Sequence, residues 1–175
     1  MEAIAKVPKT AMDVFRMLPE GTLCEVINNQ LYMSPAPNFA HQDVVSEIVT
    51  QLRIYTSKHN LGKALVSHLD VYLEELSSAV QPDVIFISND RMHIARKDGI
   101  YGAPDIVIEV LSPDKKRDTV MKKDLYEKAG VREYFIIEPN TKQLTRFDNN
   151  SGSFTKEFES EADFNSEILG LKFSF

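Results

Sequence analysis

Ala103-Pro104-Asp105-Ile106-Val107-Ile108-Glu109-Val110-Leu111-Ser112-Pro113 sets a glutamate in the middle of an apolar run. Such a run reads as a strand buried on both faces, stopped by Ser112-Pro113. A carboxylate buried alone either costs several kcal/mol or shifts its pKa until it neutralises, so Glu109 needs a partner. Asp105 lies four residues earlier, and the two-residue period of a strand puts it on the same face. Upstream, Val80-Gln81-Pro82-Asp83-Val84-Ile85-Phe86-Ile87 reads as a second strand with proline at its entrance and Asp83 at its mouth. If the two strands are neighbours, two or three carboxylates converge at one end of a sheet. Hard cations such as Mg²⁺ or Mn²⁺ favour those oxygen donors. A cation held there can activate water and stabilise charge on a phosphate oxygen.

The remaining chain supplies the frame. Thr10 to Arg16 reads as a short helix, and Leu23 to Met33 as a hairpin turning at Asn28-Asn29. Val44, Val45, Ile48, Leu52 and Tyr55 are spaced as one face of an amphipathic helix from His41 to about His59, closed by Gly62 in the left-handed position. Ala64–Leu69 and Val71–Leu76 are one long strand or a bent pair. A helix from about Thr119 to Lys128 ends at Gly130, and Val131–Glu138 pairs with Lys142–Asp148 as a hairpin. Phe154 to Phe175 reads as two short edge strands. The expected fold is α/β, a mixed central sheet flanked by two main helices, with an N-terminal hairpin.

Its 175 residues, 43% hydrophobic and 26% charged, fit a single domain spanning 1–175, and nothing in the composition points to disorder. No apolar stretch approaches the ~20 residues of a membrane span. The N-terminal Met-Glu-Ala-Ile-Ala-Lys-Val-Pro has no basic segment followed by an apolar core, so a cytoplasmic location is expected. The single cysteine, Cys24, excludes an internal disulfide, and no Cys/His cluster suggests zinc. The net charge of −6 counts against tight, non-specific grip on nucleic acid, whose affinity comes largely from neutralised phosphates. Lys115, Lys116 and Arg117 still form a local basic run that can meet a phosphate backbone.

Pro82-Asp83, a spacer, and Glu109 on a second strand resemble the PD-(D/E)XK nuclease superfamily. The longer series is more specific. Ala103 to Pro113, then Asp118, Lys122, Tyr126 and Gly130-Val131-Arg132-Glu133-Tyr134-Phe135, looks like the Uma-type putative restriction endonuclease family. Glu25 in the hairpin, and His41 after Met33-Ser34-Pro35, fit the same pattern. The resemblance runs from about Thr10 to Asp148. It implies an endonuclease-like core there, with 149–175 as edge strands, and a divalent-metal-dependent enzyme hydrolysing DNA phosphodiesters. Asp83 and Glu109 would hold Mg²⁺ or Mn²⁺, assisted by Asp105 or Glu25. The superfamily's lysine would stand two residues after Glu109, where this chain has Leu111; the resemblance gives its role to Lys122, with Lys123 in competition. By analogy, cutting both strands of DNA makes a homodimer plausible.

Plainer readings stand beside these. Asp83 can cap a turn, Asp105 can meet solvent, His41 can bond near a helix N-terminus, and Glu25 can sit on an exposed strand face. Lys122 and the run Lys115 to Arg117 can be solvated surface. The leading reading is an endonuclease. The alternative is a catalytically degenerate module that keeps the fold and binds nucleic acid without turnover.

Overall fold

The computed structural model describes residues 7–112 and 115–175. The stop expected at Pro113 and the first six residues of the N-terminus lie outside that range. Thr10 and Asp13 exchange side-chain and backbone bonds as a capping box that opens α1 (Ala11–Phe15). Asn28 and Asn29, both at positive φ, turn β1 (Cys24–Ile27) into β2 (Gln30–Met33). Asn38 caps α2 (Phe39–Lys58) by accepting from His41 N, and Val44, Val45, Ile48 and Leu52 form the buried stripe. Asn60, at φ 51, takes the left-handed position expected of Gly62. Gly62 is needed for a different reason: a Cβ there would lie 2.1 Å from the Ile87 carbonyl oxygen, where β3 (Gly62–Val66) runs against β6 (Val84–Ser88).

The next strands are β4 (Val71–Leu73), β5 (Ser78–Val80), β7 (Ala95–Arg96), β8 (Gly99–Tyr101) and β9 (Ile106–Val110). Lys115 begins a helix that is π-helical over Arg117–Lys122 and continues as α3 (Lys123–Ala129), ending at Gly130 with φ 83. β10 (Glu133–Ile137), β11 (Gln143–Asn150), β12 (Ser153–Glu161), β13 (Asp163–Ser166) and β14 (Leu171–Ser174) complete the chain.

The principal sheet has the order β12-β11-β10-β9-β6-β3. It is antiparallel except where β9 and β10 run parallel, and such a pair needs the crossover that α3 supplies. A second six-stranded sheet, β2-β1-β5-β4-β8-β7, extends the expected N-terminal hairpin. The segment from Val80 to Ile87 is not one strand. It breaks at Gln81-Pro82-Asp83, so β5 belongs to the second sheet and β6 to the first. The runs around Ala64 and Val71 likewise fall into different sheets. The tail departs from two edge strands: β12 is the sheet edge, whereas β13 and β14 form a separate ribbon whose Phe164 and Leu171 pack with the α2 stripe.

Alternation along β6 and β9 divides the core. Val84, Phe86, Ile106, Ile108 and Val110 face α2, while Ile85, Ile87 and Val107 face Leu125 and Tyr126 of α3 and Ile27, Val71 and Val80 of the second sheet. Glu109 and Asp83 are in phase with the latter set, so they point into the seam between α3 and the second sheet.

Candidate active site

The β6–β9 ladder runs to Val84↔Ile108, and one further step sets Asp83 opposite Glu109. There the ladder opens. The Val110 N–H donates to Oδ2 of Asp83 at 2.7 Å instead of to a backbone carbonyl. Residues opposite each other in an antiparallel pair share a face, so both carboxylates look into one cleft of about 320 Å³. Its walls include Glu25 from β1, the loop Ser34–Asn38, His41 from α2, Asp83 and Glu109 at the opened ladder, and Arg117, Asp118 and Lys122 from the π-helical turn. π-helical turns inside helices frequently mark functional sites.

Lys122 occupies the middle. Its ammonium lies 2.9 Å from Glu25 Oε1, 3.0 Å from Glu109 Oε1 and 3.7 Å from Asp118 Oδ1, and the residue is only 4% exposed. Tyr126, one turn on, donates its hydroxyl to the same Glu109 oxygen at 2.7 Å. Glu25 also accepts the Gln81 N–H at 2.8 Å, and Asp118 accepts from Ser112 N and Oγ. Nε2 of His41 stands 3.2 Å from Asp83 Oδ2. Among the described residues, Asp83 Oδ1 and Glu109 Oε2 receive no hydrogen bond.

Charge balance explains the titration of the cluster. Burial pushes the Lys122 pKa down, but Glu109, Glu25 and Asp118 reverse this and hold the ammonium well above the usual lysine range. Burial pushes Glu109 well above the usual carboxylate range; Lys122 opposes the shift, and Asp83, Asp118 and Glu25 add to it. Burial likewise raises Asp118. His41 is pulled down by burial yet ends raised, because Asp83 bonds to it and faces it with negative charge. Four carboxylates face two fixed cations, Lys122 and Arg117, so with His41 neutral the cleft is formally −2.

The structure gathers Glu25, His41, Asp83, Glu109, Arg117 and Lys122 in this cleft. It does not bring Asp105 there, and the expectation that Asp105 assists as a metal ligand is corrected. Asp105 lies at the other end of β9, fully buried, accepting from Ser88 N at 2.8 Å and from Arg91 and Arg132 at 3.2 Å each. Those donors hold its carboxyl below the usual range even though burial pushes the other way. A strand rises ~3.3 Å per residue, so four residues carry it roughly 13 Å from Glu109. The basic run also divides. Lys115 pairs with Glu138 on the surface, Lys116 is exposed, and Arg117 turns inward. Lys123 lies over the rings of Phe147 and Phe154, not in the cleft. Asp118 and Tyr126 stand in the quoted motif but outside the candidate set. The i, i+4 spacing of Lys122 and Tyr126 already sets Tyr126 on the helical face that looks towards the carboxylates, and the same spacing on the other side of Lys122 was the available signal for Asp118.

This is the class of site that a mixed sheet builds when two strands splay and leave paired carboxylates beside a buried lysine. The comparisons give that class a family. A family model described as Uma2, putative restriction endonuclease, matches residues 12–173, and the chain belongs to this family. A crystal structure titled a putative nuclease belonging to DUF820, from Anabaena variabilis, superposes with a TM-score of 0.75 over 95% of each chain at 23% identity, a likeness of fold. No curated protein matches. Among the described residues, no helix is long and apolar enough to cross a membrane.

Proposed function

We propose that the protein is a divalent-metal-dependent endonuclease that hydrolyses DNA phosphodiester bonds in this cleft. The observation that carries the reading is Glu109: a mid-strand carboxylate, 2% exposed, set opposite Asp83 and bonded to a lysine ammonium in an open cleft. Among the described residues no three His, Cys, Asp or Glu side chains gather as a ready-made cage. The donor chemistry nevertheless fits a hard cation. Among the described residues Asp83 Oδ1 and Glu109 Oε2 accept no hydrogen bond, and an anionic phosphodiester entering a cleft of formal charge −2 needs that charge compensated. Asp83 and Glu109 would hold Mg²⁺ or Mn²⁺, with Glu25 nearby. When bound, the ion supplies Lewis-acid stabilisation of phosphate charge and an acidified water.

The chain's own residues do the rest. Lys122 keeps its proton, so it acts as a donor that orients a water or stabilises developing negative charge, not as a base. Tyr126 and Lys122 together fix one oxygen of Glu109 and leave the other free. His41 orients Asp83. Lys115, Lys116 and Arg117, at the start of the helix that carries Lys122, contact the nucleic-acid backbone.

The test is plasmid and oligonucleotide cleavage with Mg²⁺ or Mn²⁺ against chelator, using wild type, Asp83→Ala and Glu109→Ala. Metal-dependent cutting lost in both variants supports the reading. Binding without cutting, across metals and substrates, would instead establish the non-catalytic module, which the engagement of Lys122 by three acids favours.

A further inference from the structure

Arg117 is 8% exposed, lines the cleft and donates no hydrogen bond among the described residues. Its Nε is buried and unpartnered. Among the described residues the nearest acid oxygen, Glu25 Oε2, is 4.0 Å away, beyond hydrogen-bond distance, while Lys122 and the Gln81 N–H engage the other oxygen, Oε1. A buried polar group left unbonded costs free energy, more so when charged. Every other fixed charge in the cleft has a near partner. Asp83 has His41 and Val110 N; Glu109 has Lys122 and Tyr126; Asp118 has Ser112. Among the described residues of the cleft, Arg117 alone holds its donors in reserve.

We propose that Arg117 is a further catalytic residue, whose guanidinium grips the non-bridging oxygens of the scissile phosphodiester. This rests on the endonuclease reading and deepens it, separating Arg117 from the outer backbone contacts of Lys115 and Lys116. The chemistry selects the ligand. A guanidinium presents parallel N–H donors that match two oxygens on one centre, and a phosphodiester offers such a pair. Four carboxylates line the cleft and three of them engage Lys122, so an anion entering it is drawn to the side where Arg117 stands. Burial excludes competing water and strengthens the contact. The wait beside Glu25 at 4.0 Å keeps the guanidinium in the cleft without consuming its donors.

Two readouts keep the failures apart. Anisotropy of a labelled duplex oligodeoxynucleotide in Ca²⁺ measures binding; plasmid cleavage in Mg²⁺ measures turnover. Arg117→Ala is expected to cut about 100-fold more slowly, as when one charge-stabilising donor is removed, and to bind the duplex about 10-fold more weakly. Arg117→Lys should recover little, because an ammonium lacks the fork. Added guanidinium should restore part of the rate to Arg117→Ala but none to Arg117→Lys, a rescue that a merely structural role would not show. A lysine variant as active as wild type, or an alanine loss that guanidinium leaves unchanged, overturns the assignment. Wild type that binds through Arg117 yet never cuts leaves the phosphodiester grip standing and removes the endonuclease. Wild type that cuts no faster than Arg117→Ala does the reverse. Neither binding nor cutting by wild type removes both.

Discussion

Asp105 immediately precedes β9 and Glu109 lies near its far end, and both are buried, yet their surroundings differ in kind. Asp105 meets a backbone amide and two arginines, so positive charge exceeds its own and its carboxyl is held below the usual range although burial opposes this. Glu109 shares a single ammonium with Glu25 and Asp118, opens onto a cleft and is pushed well above the usual range. Burial of an acid therefore does not mark a functional site by itself. What separates the two ends of β9 is whether opposite charge is in surplus or in deficit, and whether a ligand can reach the acid. Glu133 on β10 is a third buried acid, at 1% exposure, and a structural one: it accepts from Ser166 Oγ and Ile168 N and ties the C-terminal ribbon to the sheet.

The largest effects are expected at the deficient end. Glu109→Ala and Asp83→Ala should each lower metal-dependent cleavage by at least about 10³-fold. Neither should unfold the chain, because removing an acid relieves like-charge crowding in the metal-free cleft. Thermal unfolding beside gel-based cleavage checks both statements, and a variant that loses structure in step with activity would erase the contrast with Asp105.

Next comes the lysine. Lys122→Met should abolish cutting and lower stability, since it leaves Glu25, Glu109 and Asp118 buried with no central ammonium. Among the described residues Lys123 meets the rings of Phe147 and Phe154, outside the cleft, so Lys123→Met should retain most of the activity. Similar, mild losses in both variants would mean that the central ammonium does not serve the chemistry.

The strands that bear the site were legible because their apolar runs are short and interrupted by acids that chemistry must explain. The family series from Glu25 to Phe135 pointed to Lys122, which the structure places beside Glu109, where Leu111 stands at the expected lysine position. Asp105 was misplaced because the period of a strand fixes a face but says nothing about which end of the sheet that face serves. Its partners Arg91 and Arg132 come from segments far apart in sequence, so no local pattern announced them. The second sheet was hidden for a similar reason. β7 and β8 are two and three residues long and carry too little alternation to read. The break at Gln81-Pro82-Asp83, which transfers the chain between sheets, resembles a strand entrance when only the sequence is seen.

At the satisfied end the expected effect is on stability. Asp105→Ala strands the Ser88 N–H and leaves Arg91 and Arg132 without their acid, a loss of about 2–4 kcal/mol, moderated because both arginines reach solvent. Activity per folded molecule should stay near wild type. Urea denaturation supplies the first number, and cleavage rates normalised to folded protein supply the second. A normal fold with lost cutting would move Asp105 back into the active site.

The smallest expected effect is the response of Asp105 to pH. Its folded-state pKa lies below the usual carboxylate value, so its contribution to stability is complete above the unfolded pKa of about 4. That contribution is lost as pH falls through the folded value. Asp105→Asn keeps much of the shape but cannot titrate, so its stability should fall less steeply than wild type's as pH drops from about 5 towards 2. Glu133 gives the opposite sign. Burial raises its pKa, so the ionised form opposes folding and stability declines as pH rises through the folded value. Glu133→Gln should accordingly flatten the profile above about pH 4.5 and leave the strongly acidic limb unchanged. Urea midpoints measured for the three proteins across this range separate the limbs. If Asp105→Asn and wild type lose stability in parallel below pH 4, the arginines do not hold the carboxylate. The difference between the two ends of β9 would then rest on access to the cleft alone.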